Sequence, residues 1–248
     1  MTSAATSRPA LEVTGVAKAF GAPVLTGIDL AVASGEAVGI IGPNGAGKST
    51  LLNIVAGELR ADAGSVHLDG VDVSQLPAFR RCRSGLVRTS QIPRPFERLT
   101  VFENVLLGAV FGSRERRSER DATGPALAVL ERSGLIDRAN EPAGSLRMLD
   151  RRRLELARAL VTEPSILLLD EIGGGLTDLE VVALVEEIKQ INESGVTIVW
   201  IEHIVHALEA VVHRLVAIAG GVVVAAGPPA EVLADADVQA VYLGLDHV

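Results

Sequence analysis

Residues 42–50 read Gly-Pro-Asn-Gly-Ala-Gly-Lys-Ser-Thr, which is the spacing G-x-x-x-x-G-K-[ST]. Each residue type has a use in holding a phosphate chain. Gly45 and Gly47 let the backbone bend so that successive N–H groups point inward at phosphate oxygens. A helix starting near Lys48 adds the positive end of its dipole. Lys48 brings a compact charge to the β and γ phosphates, and Ser49 offers a hydroxyl to Mg²⁺. Gly42, Pro43, Asn44, Ala46 and Thr50 complete the loop. The motif means something only between a strand and a helix. Both flanks are present: Ala37–Ile41 is wholly apolar, and Lys48–Ala56 reads as a helix ending at Gly57. The expected ligand is ATP with Mg²⁺.

A second group of candidates follows from strand ends. Residues 166–171 read Ile-Leu-Leu-Leu-Asp-Glu, an apolar strand running into two carboxylates. Ligands of open α/β sheets sit beyond the carboxyl ends of the strands. Asp170 is therefore placed to reach the Mg²⁺ held by Ser49, and Glu171, one residue on, to polarise an attacking water. On its own such a strand end could be simple acidic solvation; downstream of a phosphate loop it reads as a site. His203 ends the next strand, Ile-Val-Trp-Ile-Glu-His, where an imidazole can contact the γ-phosphate and fix the water.

The elements that must position these groups alternate. Strands are expected at Leu11–Val16, Val24–Val32, Ala37–Ile41, Ser65–Leu68, Leu86–Thr89, Ile166–Leu169 and Val196–Ile201. Leu215–Ala219 and Val222–Ala226 flank Gly220-Gly221, a two-residue hairpin signal. Helices are expected at Lys48–Ala56, Leu179–Glu193, Ile204–Val212, Pro229–Leu233 and Val238–Leu243. Between Gln91 and Leu160 three helical stretches, Val101–Phe111, Gly124–Ser133 and Arg152–Val161, run without a strand. The layout is an α/β core, 11–90 and 161–248, interrupted by a helical subdomain, 91–160, after a disordered tail, 1–10.

Composition agrees and excludes. The 248 residues are 48% hydrophobic but only 3% aromatic, so the core must be aliphatic, as buried parallel strands are. A net charge of -8 argues against a general nucleic-acid binder. Two arginine clusters oppose the average: Arg80, Arg81, Arg83, Arg88, Arg94 and Arg98, then Arg114, Arg116, Arg117 and Arg120. Each reads either as a solvated face or as a partner surface. The single cysteine, Cys82, permits no internal disulfide. The longest apolar run, Leu215 to Gly227, is too short to span a bilayer, so a soluble protein is expected, with any membrane role exercised through a partner.

The order of phosphate loop, Gln91, helical segment, Leu-Leu-Leu-Asp-Glu and His203 resembles the ATP-binding cassette ATPases. Within them the chain looks like the ATP-binding subunits of branched-chain amino acid importers, through Gly42–Gly57, Val87–Gln91 with Leu99–Val105, Arg152–Glu171, Ile198–His203 and Gly227–Gly244. The resemblance implies a RecA-like P-loop core with an antiparallel β edge and an inserted helical subdomain. It implies that Gln91 senses Mg²⁺ and the attacking water, that the segment around Pro93–Phe102 receives a helix of an integral membrane permease, and that Phe20 stacks on adenine. It implies ATP hydrolysis, a second ATPase subunit in a homo- or heterodimer, a solute-binding protein acting indirectly, and a peripheral place on the cytoplasmic face of the membrane. A lipid or lipopolysaccharide exporter subunit would look similar in the core and tail, with Ile198–His203 and Val87–Gln91 tilting the reading toward import; a non-transport regulator that uses ATP binding as a dimerisation switch is the other alternative.

The chain departs from that pattern at the signature sequence, Leu-Ser-Gly-Gly-Gln, which in the family closes the partner's phosphate site. Here the segment is Leu146-Arg147-Met148-Leu149-Asp150. Bulky Met148 and Leu149 are expected to crowd a phosphate, and Asp150 to repel it. An asymmetric pair is therefore expected, with an intact site on this chain's own loop and an impaired opposite site. Ile172 stands where proline is usual, and Gly173-Gly174-Gly175 is expected to make the next loop flexible.

Overall fold

The computed structural model describes residues 8–114 and 117–243. Most of the tail expected at 1–10, together with Arg116 and Gly244, lies outside the described residues. Ala10 is buried, and its carbonyl accepts the Asp69 N–H at 3.0 Å, so ordered chain begins before the first strand.

The elements run β1 (Leu11–Phe20), β2 (Ala22–Val32), β3 (Ala37–Ile41), α1 (Lys48–Ala56), β4 (Ala63–Leu68), β5 (Val71–Asp72), α2 (Ala78–Arg83) and β6 (Leu86–Arg88). Then come α3 (Val101–Phe111), α4 (Glu119–Arg132), α5 (Met148–Leu160), β7 (Ile166–Asp170), α6 (Asp178–Glu193), β8 (Thr197–Ile201), α7 (Val205–Glu209), β9 (Arg214–Ala219), β10 (Val222–Gly227), α8 (Pro229–Ala234) and α9 (Ala236–Leu243). Two sheets form. One is antiparallel, in the order β2-β1-β4-β5; the other is six-stranded, in the order β10-β9-β3-β8-β7-β6. In the second, β9, β3, β8, β7 and β6 are parallel and β10 closes the edge antiparallel to β9. Every residue of β3, β7 and β8 is buried, as strands covered on both faces require.

Three apolar clusters organise the interior. One lies between the two sheets and includes α1; a second covers the opposite face of the parallel sheet beneath α6 and α7; a third joins α3, α4 and α5. Trp200, the only tryptophan, is 1% exposed within the second cluster, and among the described residues its indole N–H has no hydrogen-bond partner. The β9–β10 hairpin turns on Gly220 and Gly221 with φ of 54° and 79°, the paired positive values that a two-residue turn needs.

Several boundaries differ from expectation for local reasons. The first strand continues to Phe20 because β2 pairs with it along that length, through irregular register. The six-residue α2 was not expected: it is too short and Arg-rich to show a helical period, and it starts after Pro77, whose φ is -70°. The start of α4 at Glu119 lies upstream of the Gly124-Pro125 interruption, where Ser118 accepts the Asp121 N–H. The start of α5 at Met148 precedes the apolar stripe by a turn.

The first arginine cluster is not a single face. Arg81 is 2% exposed, and its guanidinium donates to the carbonyls of Ile54 and Val55 at 2.8 Å and of Ser74 and Leu76 at 3.0 Å. It thereby satisfies the Val55 carbonyl at the end of α1 and adds a second donor to the Ile54 carbonyl, which the Gly57 N–H already reaches at 3.1 Å. Arg81→Met should cost about 2–3 kcal/mol, read as a melting-temperature loss of about 4–12 °C in thermal unfolding; an unchanged melting temperature would refute this role.

Candidate functional site

The order β3-β8-β7-β6 brings four carboxyl ends side by side on one sheet edge. The phosphate loop leaves β3, Glu202 and His203 follow β8, Asp170 and Glu171 end β7, and Gln91 follows β6. The sequence-selected residues of these four strands are thus neighbours.

The loop takes the backbone path expected of it. Gly45 and Gly47 have φ of 82° and 99°, and a Cβ on Gly47 would fall 2.5 Å from Leu25 and 2.9 Å from the Val24 carbonyl. No side chain caps the start of α1 and no acidic residue stands in its first turn, so its N–H groups are left for an anion. Lys48 is 6% exposed and donates through Nζ to the carbonyls of Gly42 (2.7 Å) and Pro43 (2.9 Å). Burial pulls its pKa below the usual lysine value, opposed by the carboxylates of Glu171 and Asp170.

Asp170 is buried and splits its two oxygens. Oδ2 accepts from Arg88 Nη2 at 2.7 Å, whereas Oδ1 is buried with no partner. Arg88 also donates to Glu58 Oε2 at 2.8 Å and to Asn53 Oδ1, tying β6 and β7 to α1. Arg88 thus also leaves the supposed arginine face.

Glu171 adopts φ 46°, an uncommon conformation for a side-chain-bearing residue that costs on the order of 1–3 kcal/mol. Its N–H donates to the Ile201 carbonyl at 2.8 Å. Its carboxylate joins two other candidates: Oε1 lies 2.9 Å from His203 Nε2, and Oε2 accepts from Gln91 Nε2. Three residues from three strand ends therefore form one chain, His203–Glu171–Gln91.

The donor set suits Mg²⁺. The orphaned Asp170 Oδ1 and the exposed Ser49 hydroxyl are hard oxygen ligands, and Mg²⁺ is commonly held by one or two such groups together with substrate phosphates. Phe20 is 61% exposed at the tip of the β1–β2 hairpin, with Lys18 Nζ 5.4 Å from its ring centroid, so its face is available for a planar ring.

Around this core the structure alters three expectations. Gly173 and Gly174 are pinned rather than free: Gly173 N–H donates to Glu202 Oε2 (3.1 Å) and Gly174 O accepts from Arg152 Nη2 (3.2 Å). Asp150 does not project bare charge; it pairs with Arg138 at 3.2 Å and Arg153 at 3.7 Å. Leu149 packs inward on the second cluster, so Arg147 and Met148 are the exposed residues at the start of α5. Ile172 is buried in the same cluster.

Sequence reasoning missed Arg88, Arg152, Glu155 and Glu202. Burial raises the pKa of both Glu155 and Glu202 above the usual carboxylate value. The 152, 155, 158 spacing on one helix face was the available signal for two of them.

Residues 25–173 match the family model described as ABC transporter. The chain belongs to the ABC transporter ATP-binding family. Residues 222–248 match a second model, that of the branched-chain amino acid ATP-binding cassette transporter. Among curated relatives, the high-affinity branched-chain amino acid transport ATP-binding protein BraF of Pseudomonas aeruginosa is 37% identical, over 96% of this chain and 99% of its own length. The lipopolysaccharide export system ATP-binding protein LptB of Escherichia coli is 36% identical, over 93% and 95%. Among solved structures, a nucleotide-free ATP-binding cassette from an ABC transporter superposes with a TM-score of 0.87 at 28% identity, covering 94% of this chain and 98% of that one. A dimeric post-hydrolysis cassette bound to ADP and phosphate superposes at 0.79 and 26%, covering 88% and 98%. This ABC ATPase is close to the branched-chain amino acid transport ATP-binding proteins. Among its described residues no helix is long and apolar enough to cross a membrane.

Lys48→Ala should weaken Mg-ATP binding by about 10- to 100-fold, the value of one hydrogen bond to a charged group. Titration calorimetry reads the change, and equal affinity for the two proteins would remove the loop from nucleotide binding.

Proposed function

We propose that this chain is the ATP-hydrolysing subunit of an importer for branched-chain or related amino acids, working on the cytoplasmic face of the membrane. It would sit against permease subunits, pair with a second ATPase subunit and be served indirectly by a solute-binding protein. The observation that carries the importer reading is the match of residues 222–248 to the branched-chain amino acid ATP-binding cassette transporter model. The similarity to a lipopolysaccharide export protein favours the second reading, an exporter subunit.

In the proposed reaction the phosphate loop, Gly42–Thr50, holds the triphosphate, with Lys48 on the β and γ groups and Phe20 against the adenine. Ser49, Asp170 and Gln91 would hold Mg²⁺, which neutralises charge on the phosphates when bound. Glu171 draws on a proton of the water that attacks the γ-phosphorus; the bond to the β–γ bridging oxygen breaks, and ADP and phosphate result. His203 and Gln91 hold the Glu171 carboxylate from both sides, so its direction is set before the water arrives. Catalysis of this kind rests on positioning more than on covalent chemistry.

A groove of about 610 Å³ beside the Gln91 segment supports the permease contact. Its lining includes Arg94, Phe96 and Phe111, and both aromatic residues are exposed. We assign residues 91–160 to a helical subdomain that moves with that contact. The Leu146–Asp150 segment supports an asymmetric pair. It presents Arg147 and Met148 where the family places a serine and a glycine, so the site it closes on a partner would be impaired.

Purified alone, the chain should hydrolyse ATP weakly, and Arg147→Ser with Met148→Gly and Leu149→Gly should raise the rate about tenfold, roughly 1.4 kcal/mol of barrier. Fast hydrolysis by the unaltered homodimer contradicts the asymmetry. Glu171→Gln should lower kcat by about 100-fold or more with ATP binding retained, in keeping with general-base catalysis. Co-purification with a solute-binding protein and two different membrane subunits separates import from export.

A further inference from the structure

Helix α5 grips the segment that carries Gln91 from three successive turns. Arg152, Glu155 and Arg158 recur every third residue and share a face. Glu155 Oε1 accepts the Ser90 N–H at 2.8 Å. Arg152 Nη1 donates to the Gln91 carbonyl at 2.6 Å and to the Ser90 carbonyl at 3.3 Å. Arg158 Nη1 donates to the Arg94 carbonyl at 3.0 Å and its guanidinium lies 5.2 Å from the Phe96 ring centroid.

Arg152 does more than its neighbours. It is 4% exposed, and its Nη2 crosses to the Gly174 carbonyl at 3.2 Å, in the loop that follows Glu171. One guanidinium therefore bridges the two chain segments whose side chains meet in the Gln91–Glu171 hydrogen bond. Among the described residues Arg152 makes no ion pair; the carboxylates of Glu155 and Glu202 favour its charge from further away. A cation buried in this way is expensive compared with an apolar side chain of similar volume. What a guanidinium offers in exchange is a fixed planar fork with several donors, which lysine lacks.

We propose that Arg152 is a positioning residue for ATP hydrolysis, fixing the Gln91 backbone so that the Gln91 amide stays on the Glu171 carboxylate. This rests on the reading in which Gln91 and Glu171 act on the attacking water. Arg152 is the fifth residue of α5, whose exposed start carries Arg147 and Met148. A displacement of that start is therefore delivered to Gln91 through little more than one helical turn.

The test uses the assembled transporter and steady-state ATP hydrolysis. In Arg152→Lys one nitrogen cannot serve the Gln91 and Gly174 carbonyls together. We expect kcat to fall at least tenfold, with the KM for ATP within twofold of the parent. In a Gln91→Ala background the same substitution should produce almost no further fall, because the side chain being positioned is already gone. A general packing defect would instead multiply the losses. Arg152→Gln, neutral and free of the cost of a buried charge, gives the same comparison should the lysine variant fail to fold. An unchanged kcat in the folded Arg152 variant, or an equal fold-loss in both backgrounds, overturns the positioning role. Normal hydrolysis by Glu171→Gln would instead remove the reading of the whole site, whereas an inactive Glu171→Gln beside a fully active Arg152→Lys removes only the inference about Arg152.

Discussion

A carboxylate at the end of a strand buried on both faces has to be matched by a cation, and for Asp170 that cation is Arg88. Their 2.7 Å contact occupies one carboxylate oxygen and leaves the other bare. Much of the site follows. Arg88 also holds Asn53 and Glu58, so the same guanidinium joins β6, β7 and the helix that starts at the phosphate loop. The unpartnered carboxylate oxygen and helix α1 are set relative to each other by one side chain. Breaking a buried pair of this kind leaves an uncompensated charge, which costs more than the pair itself contributes.

Glu171 shows a second constraint. Its backbone is held in a left-handed conformation by the Ile201 carbonyl, and its carboxylate by His203 and Gln91. The conformational cost is borne because the surroundings determine the position from several directions. The glycine loop after it is held the same way, by Glu202 on one side and Arg152 on the other. The edge that carries the candidate site is thus a set of short loops, each fastened to a neighbouring strand or helix, and α5 is the outer fastening.

What could be read from sequence alone divides by range. The phosphate loop, Lys48 and Ser49 are local: strand, loop and helix follow one another within twenty residues, and spacing suffices. Asp170, Glu171 and His203 were legible because parallel strands deliver their ends to one edge whatever lies between. Arg88 was not legible, because its contact with Asp170 spans 82 positions, and for Arg152 the helical spacing gives a shared face but not the contact 61 positions away. Arg88 sat in a run of arginines and looked like surface. The short α2 escaped for a related reason, since six residues are too few to show a period. Glycine content misled in the opposite direction at Gly173 and Gly174, where backbone hydrogen bonds from distant side chains remove the freedom that the residue type allows.

Trp200 gives this architecture an unplanned convenience. It is the sole indole in the chain, sealed in apolar surroundings on β8, which ends one residue later at Ile201, just before Glu202 and His203. All tryptophan fluorescence therefore originates from one place, on the strand that leads to Glu202 and His203. Its ring nitrogen has no hydrogen-bond partner among the described residues, so no such bond fixes the indole in place. The protein carries a native optical gauge of that strand, and nothing has to be attached to read it.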